Sequence, residues 1–517
     1  MDEPLKTGSV ESEQRNGATL RAVHDDVSGS DPSHPQPTGL TRNFARKAKI
    51  IESSVDQSLP STPSTPSAPS HSSRQQLVTL QAVISMACFA VTILNGTLPL
   101  YSKTVGAEGL DVGFLYALKA LMTALPRPII GRGIDRFGRK KFLLGGIVLI
   151  GISMLCFAYA RTFTFELFGQ VFFHGTLGFG RFMLYAGQIL QGLGIGTVLL
   201  ASLTMTADLA KSAGRGTSFG YTEQAQYRGG LLGAFVAVPI ILIYGWGPQG
   251  VDITPEAWTR VFLIFAVVAA LAFVFALRRV HDTHAIAIAH AERETQELGR
   301  INPQLYVLMA IIALTSASAY GLTPFVLRYI EDHITPQPEL IALAYLPAAI
   351  VWGTLPSRMG RFADKFGRKP MMVVGLVGSA ILSIFIPLVA VVVPPVNAFQ
   401  LWIYTVPIAL ILLALFVGAE SVTYSAATPA EQALASDMMG GKYRGRGFGL
   451  YTFARSLGEV VGPIIMGALY VVDPSGAFIA NTVILILGSI LVWFALSDPR
   501  GTNSKVASTK AEVNSEQ

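Results

Sequence analysis

Long apolar stretches alternate with short polar connectors from about Leu77 to about Leu496. Each stretch is near 20 residues, and a helix of that length crosses the ~30 Å hydrocarbon core of a bilayer. Lipid offers the backbone no hydrogen-bond partner, so a single segment that crosses it does so as a helix. The pattern predicts spans at 77–100, 112–130, 142–160, 182–207, 217–244, 260–277, 304–327, 340–356, 371–393, 404–428, 447–471 and 476–496, twelve in all. The chain therefore reads as an all-α membrane protein. The interval 161–181 (RTFTFELFGQVFFHGTLGFGR) is amphipathic and reads either as an external hairpin or as a re-entrant segment.

Composition agrees with the pattern. Of 517 residues, 51% are hydrophobic and 14% charged, where a soluble domain carries about a quarter charged residues; the mean hydropathy is +0.47. Cys88 and Cys156 both lie inside apolar runs and read as small buried hydrophobes, which excludes a disulfide scaffold. Residues 1–76 hold no apolar run, and stretches such as STPSTPSAPS at 61–70 bury too little surface to offset chain entropy, so a disordered tail is expected. Its start, Met-Asp-Glu-Pro, lacks the basic and apolar regions of a secretory signal, which places the tail in the cytoplasm. Residues 39–51 (GLTRNFARKAKII) read as solvated chain, with a short helix on anionic lipid as the alternative.

The location of positive charge sets orientation. Connectors after the even-numbered spans hold Arg132, Arg136, Arg139, Lys140 and Lys141, then Lys211 and Arg215, then Arg278 and Arg279. Further on they hold Arg358, Arg361, Lys365, Arg368 and Lys369, then Lys442, Arg444 and Arg446. Basic residues in short loops are retained on the cytoplasmic side, so both termini are expected there, in a plasma or inner membrane. The expected layout is a cytoplasmic tail (1–76), a six-helix half (77–277), a cytoplasmic connector (278–302), a second six-helix half (303–497) and a C-terminal tail (498–517).

The two halves are repeats. GRGIDRFGRKK at 131–141 recurs as GRFADKFGRKP at 360–370, identical at seven of eleven positions with an offset of 229. The same offset carries Asp208, Arg215, Gly216, Phe219, Gly220, Gly229 and Gly233 onto Asp437, Arg444, Gly445, Phe448, Gly449, Gly458 and Gly462. Pseudo-symmetric duplication of this kind is how many secondary transporters are built.

GRGIDRFGRKK resembles the signature loop between the second and third spans of the major facilitator superfamily, and the resemblance covers 77–496. The pattern departs at Gly133, where Leu is usual. The resemblance implies that Asp135 meets the first turn of the eleventh span and latches the outward-facing state, and that Asp364 faces the fifth span by repeat. It also implies pairing of Arg139 with Asp208 and of Arg368 with Asp437 while the cytoplasmic side is closed. Gly131, Lys140, Gly360 and Lys369 complete this candidate gate; the alternative is that these basic loops only set orientation.

Ionisable groups inside spans mark pathways by default. Lys119, Arg228, Glu420, Arg455 and Glu459 fall at mid-span and Glu223 about two turns in. Arg455 and Glu459 share a helix face, so they either neutralise one another or bind substrate or proton. Glu420 lacks a partner on its own helix and is the first proton-site candidate. Lys119 and Arg228 favour an anionic substrate unless they snorkel or pair across the halves with Glu420 or Glu459. Asn95, Gln188 and Tyr320 add hydrogen-bonding capacity. Many proton antiporters of the resembled family carry Arg before a Gln-Gly pair in the fourth span, where this chain has Gln188 ahead of Gln191 and Gly192. The fifth span, RGGLLGAFVAVP, lacks the antiporter Gly-Pro pattern, whereas the eleventh, GEVVGPIIMG, comes close to it.

GLGIG at 192–196 lies within a span and serves helix packing, not nucleotide binding. His281, His284 and His290 have no metal spacing and read as solvated. The expectation is a secondary transporter moving a small organic solute by alternating access, with efflux ahead of proton-coupled uptake or facilitated diffusion. A transporter-like receptor or scaffold is the alternative of another class. No enzyme activity, cofactor, metal or nucleic acid is expected; the expected partners are membrane lipid, a small-molecule substrate and protons, with the chain a monomer.

Overall fold

The computed structural model describes residues 71–105, 110–160, 165–167, 170–173, 177–247, 250–251, 255–288, 303–393, 398–401, 404–439 and 443–497. The expectations for 1–70, including the segment at 39–51, and those for His290 and 498–517 lie outside them.

The first half contains α1 (His71–Thr104), α2 (Leu110–Ala124), α3 (Arg127–Phe137), α4 (Arg139–Tyr159), α5 (Leu177–Leu209), α6 (Arg215–Gly245) and α7 (Pro255–Arg279). The second contains α8 (Gln304–His333), α9 (Pro338–Ala344), α10 (Leu346–Thr354), α11 (Pro356–Phe366), α12 (Arg368–Val392), α13 (Ile408–Asp437), α14 (Arg444–Val472) and α15 (Pro474–Ala495). Among the described residues nine helices are long and apolar enough to cross a membrane singly. The other three spans are the broken pair α2–α3, the charge-bearing α6, and the three-piece α9–α11, giving the twelve-helix, two-half architecture.

Several boundaries correct the sequence reading. The second and eighth spans were expected to end at 130 and 356, but each turns at a proline and continues as a short helix to Phe137 or Phe366. Pro126 and Pro356 lack the N–H that would continue the preceding ladder, so α2 and α10 stop and new helices start. Helix α13 continues nine residues past the expected end at 428, through Pro429. Helix α1 starts at His71, inside the expected tail. The interval 161–181 contains an antiparallel hairpin, β1 (Phe165–Leu167) with β2 (Gln170–Phe173). Two further hairpins were not foreseen, β3 (Trp246–Gly247) with β4 (Gly250–Val251) and β5 (Ala398–Leu401) with β6 (Tyr404–Pro407).

The repeat is visible in the packing. Helix α1 lies on α6 as α8 lies on α14, and α4 on α5 as α12 on α13. The halves meet crosswise, with α3 against α14 and α11 against α6. At the end that carries the basic connectors, one apolar core runs through both halves and includes Ile134, Phe219, Ala363 and Phe448. At the other end the core divides into one cluster around Tyr101, Trp258 and Phe262 and another around Tyr329, Met466 and Phe478. Among the described residues the two halves therefore share one apolar core at the basic end and have separate ones at the opposite end.

Candidate functional site

The seal is built twice. Asp135, near the end of α3, accepts the backbone N–H groups of Gly445 and Arg446 at 2.9 and 2.7 Å, in the first turn of α14. Asp364, at the matching place on α11, accepts those of Gly216 and Thr217 at 3.0 and 2.8 Å, in the first turn of α6, and the Thr217 hydroxyl at 2.8 Å. The first turn of a helix has N–H groups without internal partners and a positive dipole end, so a carboxylate satisfies both.

Gly131 and Gly360 let the helices come this close. A Cβ on Gly131 would stand 2.3 Å from the Gly445 carbonyl oxygen, and one on Gly360 would stand 2.0 Å from that of Gly216. At Gly133, where the resembled pattern has Leu, the Phe142 ring occupies the space, 2.5 Å from a would-be Cβ.

Behind each latch lies a buried charge cluster. Arg139 Nε meets Asp208 Oδ2 at 3.1 Å, and Arg444 of the other half meets Asp208 Oδ1 at 3.2 Å. Arg368 pairs with Asp437, and Arg215 of the other half meets Asp437 Oδ1 at 2.5 Å. Each acid thus holds one arginine from its own half and one from the opposite half. Arg215 and Arg444 were not among the residues expected in the gate, although the 229-residue repeat already related them. Lys140 and Lys369 differ from the rest: each ammonium donates within its own half, to the Leu277 and Leu496 carbonyls at 2.8 and 2.6 Å.

Deeper in the bundle a polar cluster spans the halves. Arg455 Nε lies 3.3 Å from Glu459, its guanidinium also bonds the Tyr320 hydroxyl, and Nη1 lies 3.9 Å from Glu431. The Glu459 side chain is 34% exposed, so it faces open space. Buried Arg127, the first residue of α3, donates to the Thr452 carbonyl at 2.7 Å and to Ser456 Oγ at 2.5 Å. Glu223 accepts from Gln432 at 2.5 Å, and Glu431 from the Tyr451 hydroxyl at 2.5 Å. Arg228 donates to the Gly353 carbonyl at 2.7 Å, not to an acid across the halves. Tyr227 stacks on Trp352 with centroids 4.7 Å apart, and Trp352 meets Tyr424 edge-on at 6.2 Å.

Glu420 is held by the Ser379 hydroxyl of α12. Gln188 and Gln191 are fully buried, and their side-chain amides have no hydrogen-bond partner among the described residues. Lys119 is half-buried on α2, beside the α5 backbone at Gly192. Asn95 lies on α1, its side chain outside the described residues. Arg127, Glu431 and Gln432 were missed. Glu431 and Gln432 fell beyond the expected end of their span at 428, and Arg127 lay three residues inside the expected end of its span at 130. His284 is a correction: instead of being solvated, its Nδ1 meets the Arg139 guanidinium. Among the described residues no group of His, Cys, Asp and Glu is arranged to hold a metal ion.

The family model described as Major Facilitator Superfamily matches residues 82–416 and 359–515. The chain is 23% identical over 430 residues to Multidrug resistance protein 2 of Bacillus subtilis (strain 168), covering 80% of this chain and 94% of that protein. It is 24% identical over 401 residues to Quinolone resistance protein NorA of Staphylococcus aureus (strain MRSA252), covering 77% and 90%. Among solved structures, the human organic anion transporter MFSD10 (TETRAN) superposes with a TM-score of 0.59 at 15% identity, covering 81% of this chain and 99% of that one. The proton:xylose symporter XylE, bound to 6-bromo-6-deoxy-D-glucose, superposes with a TM-score of 0.61 at 17% identity, covering 82% and 96%.

Proposed function

The chain belongs to the major facilitator superfamily, and on that premise we propose that it exports small organic solutes by alternating access of its two halves, in exchange for protons. The observation that carries this reading is the paired latch: Asp135 on α14 and Asp364 on α6 close the same end of the bundle in symmetry-related fashion. By the distribution of basic residues that end is cytoplasmic, with both termini on that side. The described conformation is then outward-facing, and inward opening breaks both latches and both crosswise arginine contacts together.

The export direction draws on the curated relatives, whose names refer to drug and quinolone resistance. Glu420 is the proposed proton site, because its recorded partner is the neutral Ser379 hydroxyl, whereas Glu459 has Arg455. The aromatic cluster of Tyr227, Trp352 and Tyr424 suits amphipathic, ring-containing cargo better than the simple anion that Lys119 and Arg228 suggested, since Arg228 Nε donates to a carbonyl. The partners in this reading are lipid, cargo and protons, and the working unit is one chain.

The test is retention of a fluoroquinolone in cells carrying the intact protein, the Asp135→Asn variant at matched membrane expression, or neither. Export predicts least retention with the intact protein and retention near the empty-cell value with the variant. Greater retention with the intact protein than in empty cells establishes uptake instead. Equal retention in all three, repeated across cationic, anionic and neutral aromatic probes, removes the transport reading and favours a receptor.

A further inference from the structure

The connector after α7 enters the first-half charge cluster. Asp282 Oδ1 accepts the N–H of Arg139 at 3.1 Å and that of His284 at 3.1 Å. Arg139 opens α4, and the residue before it, Gly138, supplies no side-chain cap, so Asp282 caps that helix from a distant part of the chain. Gly138 has φ +96°, and a Cβ there would stand 2.4 Å from Asp282 Oδ2, so the signature glycine is also what admits the cap. Thr283 is fully buried and donates to Asp208 Oδ2 at 2.9 Å, the oxygen that accepts Arg139 Nε. His284 Nδ1 faces Arg139 Nη1. Arg368, the repeat counterpart of Arg139, donates to the Ala433 carbonyl at 3.0 Å.

We propose that Asp282, Thr283 and His284 form a clasp that positions Arg139 in the closed gate, and that His284 makes this clasp respond to cytoplasmic pH. The inference rests on the gate reading above and adds an element that the signature loop does not contain. A guanidinium only donates hydrogen bonds, so the ring nitrogen facing it is a bare acceptor and the imidazole is neutral while the clasp is closed. A proton on that nitrogen removes the acceptor and sets two cations in contact. The charged groups around this point are Arg139 on α4, Asp208 on α5, Asp135 on α3, Arg444 on α14 and Asp282 itself. Closure is thus favoured while the imidazole is neutral and is lost when its ring nitrogen takes up a proton.

The experiment measures opening directly. Spin labels at Arg136→Cys and Lys365→Cys, on the exposed faces of α3 and α11, report the separation of the halves in the full chain with Cys88→Ala and Cys156→Ala, reconstituted in liposomes. From pH 8 to pH 5.5 the long-distance population is expected to rise about fivefold or more. His284→Asn, which keeps a neutral acceptor, is expected to stay closed across this range, and His284→Lys to be open throughout. Thr283→Val and Asp282→Asn are expected to raise the open fraction at pH 8. A pH response that survives His284→Asn, a response of opposite sign, or no response overturns the proposal. Asp135→Asn is measured in parallel: if it opens the gate while the connector variants do nothing, the clasp fails and the gate stands.

Discussion

At the residue scale the chemistry turns on how each intramembrane charge is matched. Arg455 is shared by Glu459, Glu431 and Tyr320, so it is a structural hub whose loss leaves the buried Glu431 carboxylate without a cation. Glu420 has only a hydroxyl partner among its recorded contacts, which leaves it free to exchange a proton without dismantling an ion pair. Glu420→Gln is therefore expected to lower export driven by an imposed pH gradient about tenfold or more while leaving substrate exchange between the two sides intact, measured in proteoliposomes. Loss of both activities would make Glu420 a cargo or folding residue instead. The mid-span charges were legible from sequence because a charge among apolar residues stands out. Their partners were not, since Tyr451, Gln432 and Ser456 are polar residues that look ordinary until the helices cross. The contact that commits Arg228 to Gly353 uses a carbonyl, which carries no side-chain signal.

At the element scale the signature helices α3 and α11 form the seal that the proposed cycle opens, and small residues set how near they come to α14 and α6. Gly131→Val would drive a side chain into the Gly445 carbonyl, a backbone atom that cannot turn aside. This should destabilise the closed state by about 1–3 kcal/mol, read as a greater open fraction with the spin-label pair and slower export. Gly133→Leu meets only the Phe142 ring, which can swing away, so it should leave export within about twofold of the intact chain. The repeated motif made both helices legible. Their division from α2 and α10 was not foreseen, because an apolar run with a proline reads equally as a kinked span or as two helices until neighbours choose between them. The hairpin at 165–173 was one of two open readings, and hydropathy alone does not separate them.

At the scale of the whole molecule, the proposed closure is one event made of two symmetric parts. The 229-residue offset predicted which acids would match, and it held in three dimensions: Asp208 and Asp437, Arg139 and Arg368, Arg444 and Arg215 occupy corresponding places. What the repeat could not show was that the second arginine crosses between halves, because an internal repeat relates positions and not contacts. That crossing fixes how mutations should combine. Arg444→Gln removes a charge-assisted contact at Asp208 and Arg215→Gln removes one at Asp437, each expected to weaken closure by about 1.5–3 kcal/mol. Asp208 pairs with Arg139 and Arg444, and Asp437 with Arg368 and Arg215, so the double variant should shift the open-to-closed ratio by the sum of the single effects within about 0.5 kcal/mol. Arg139→Gln with Arg444→Gln is the contrasting pair, since both face Asp208 and the second loss falls on an acid already stripped of one partner. That pair should depart from additivity by more than 0.5 kcal/mol on the same spin-label measurement. Additivity in both pairs would mean that the clusters do not act as units. Non-additivity between the two clusters would mean that the halves deform as they part, instead of rocking as rigid bodies.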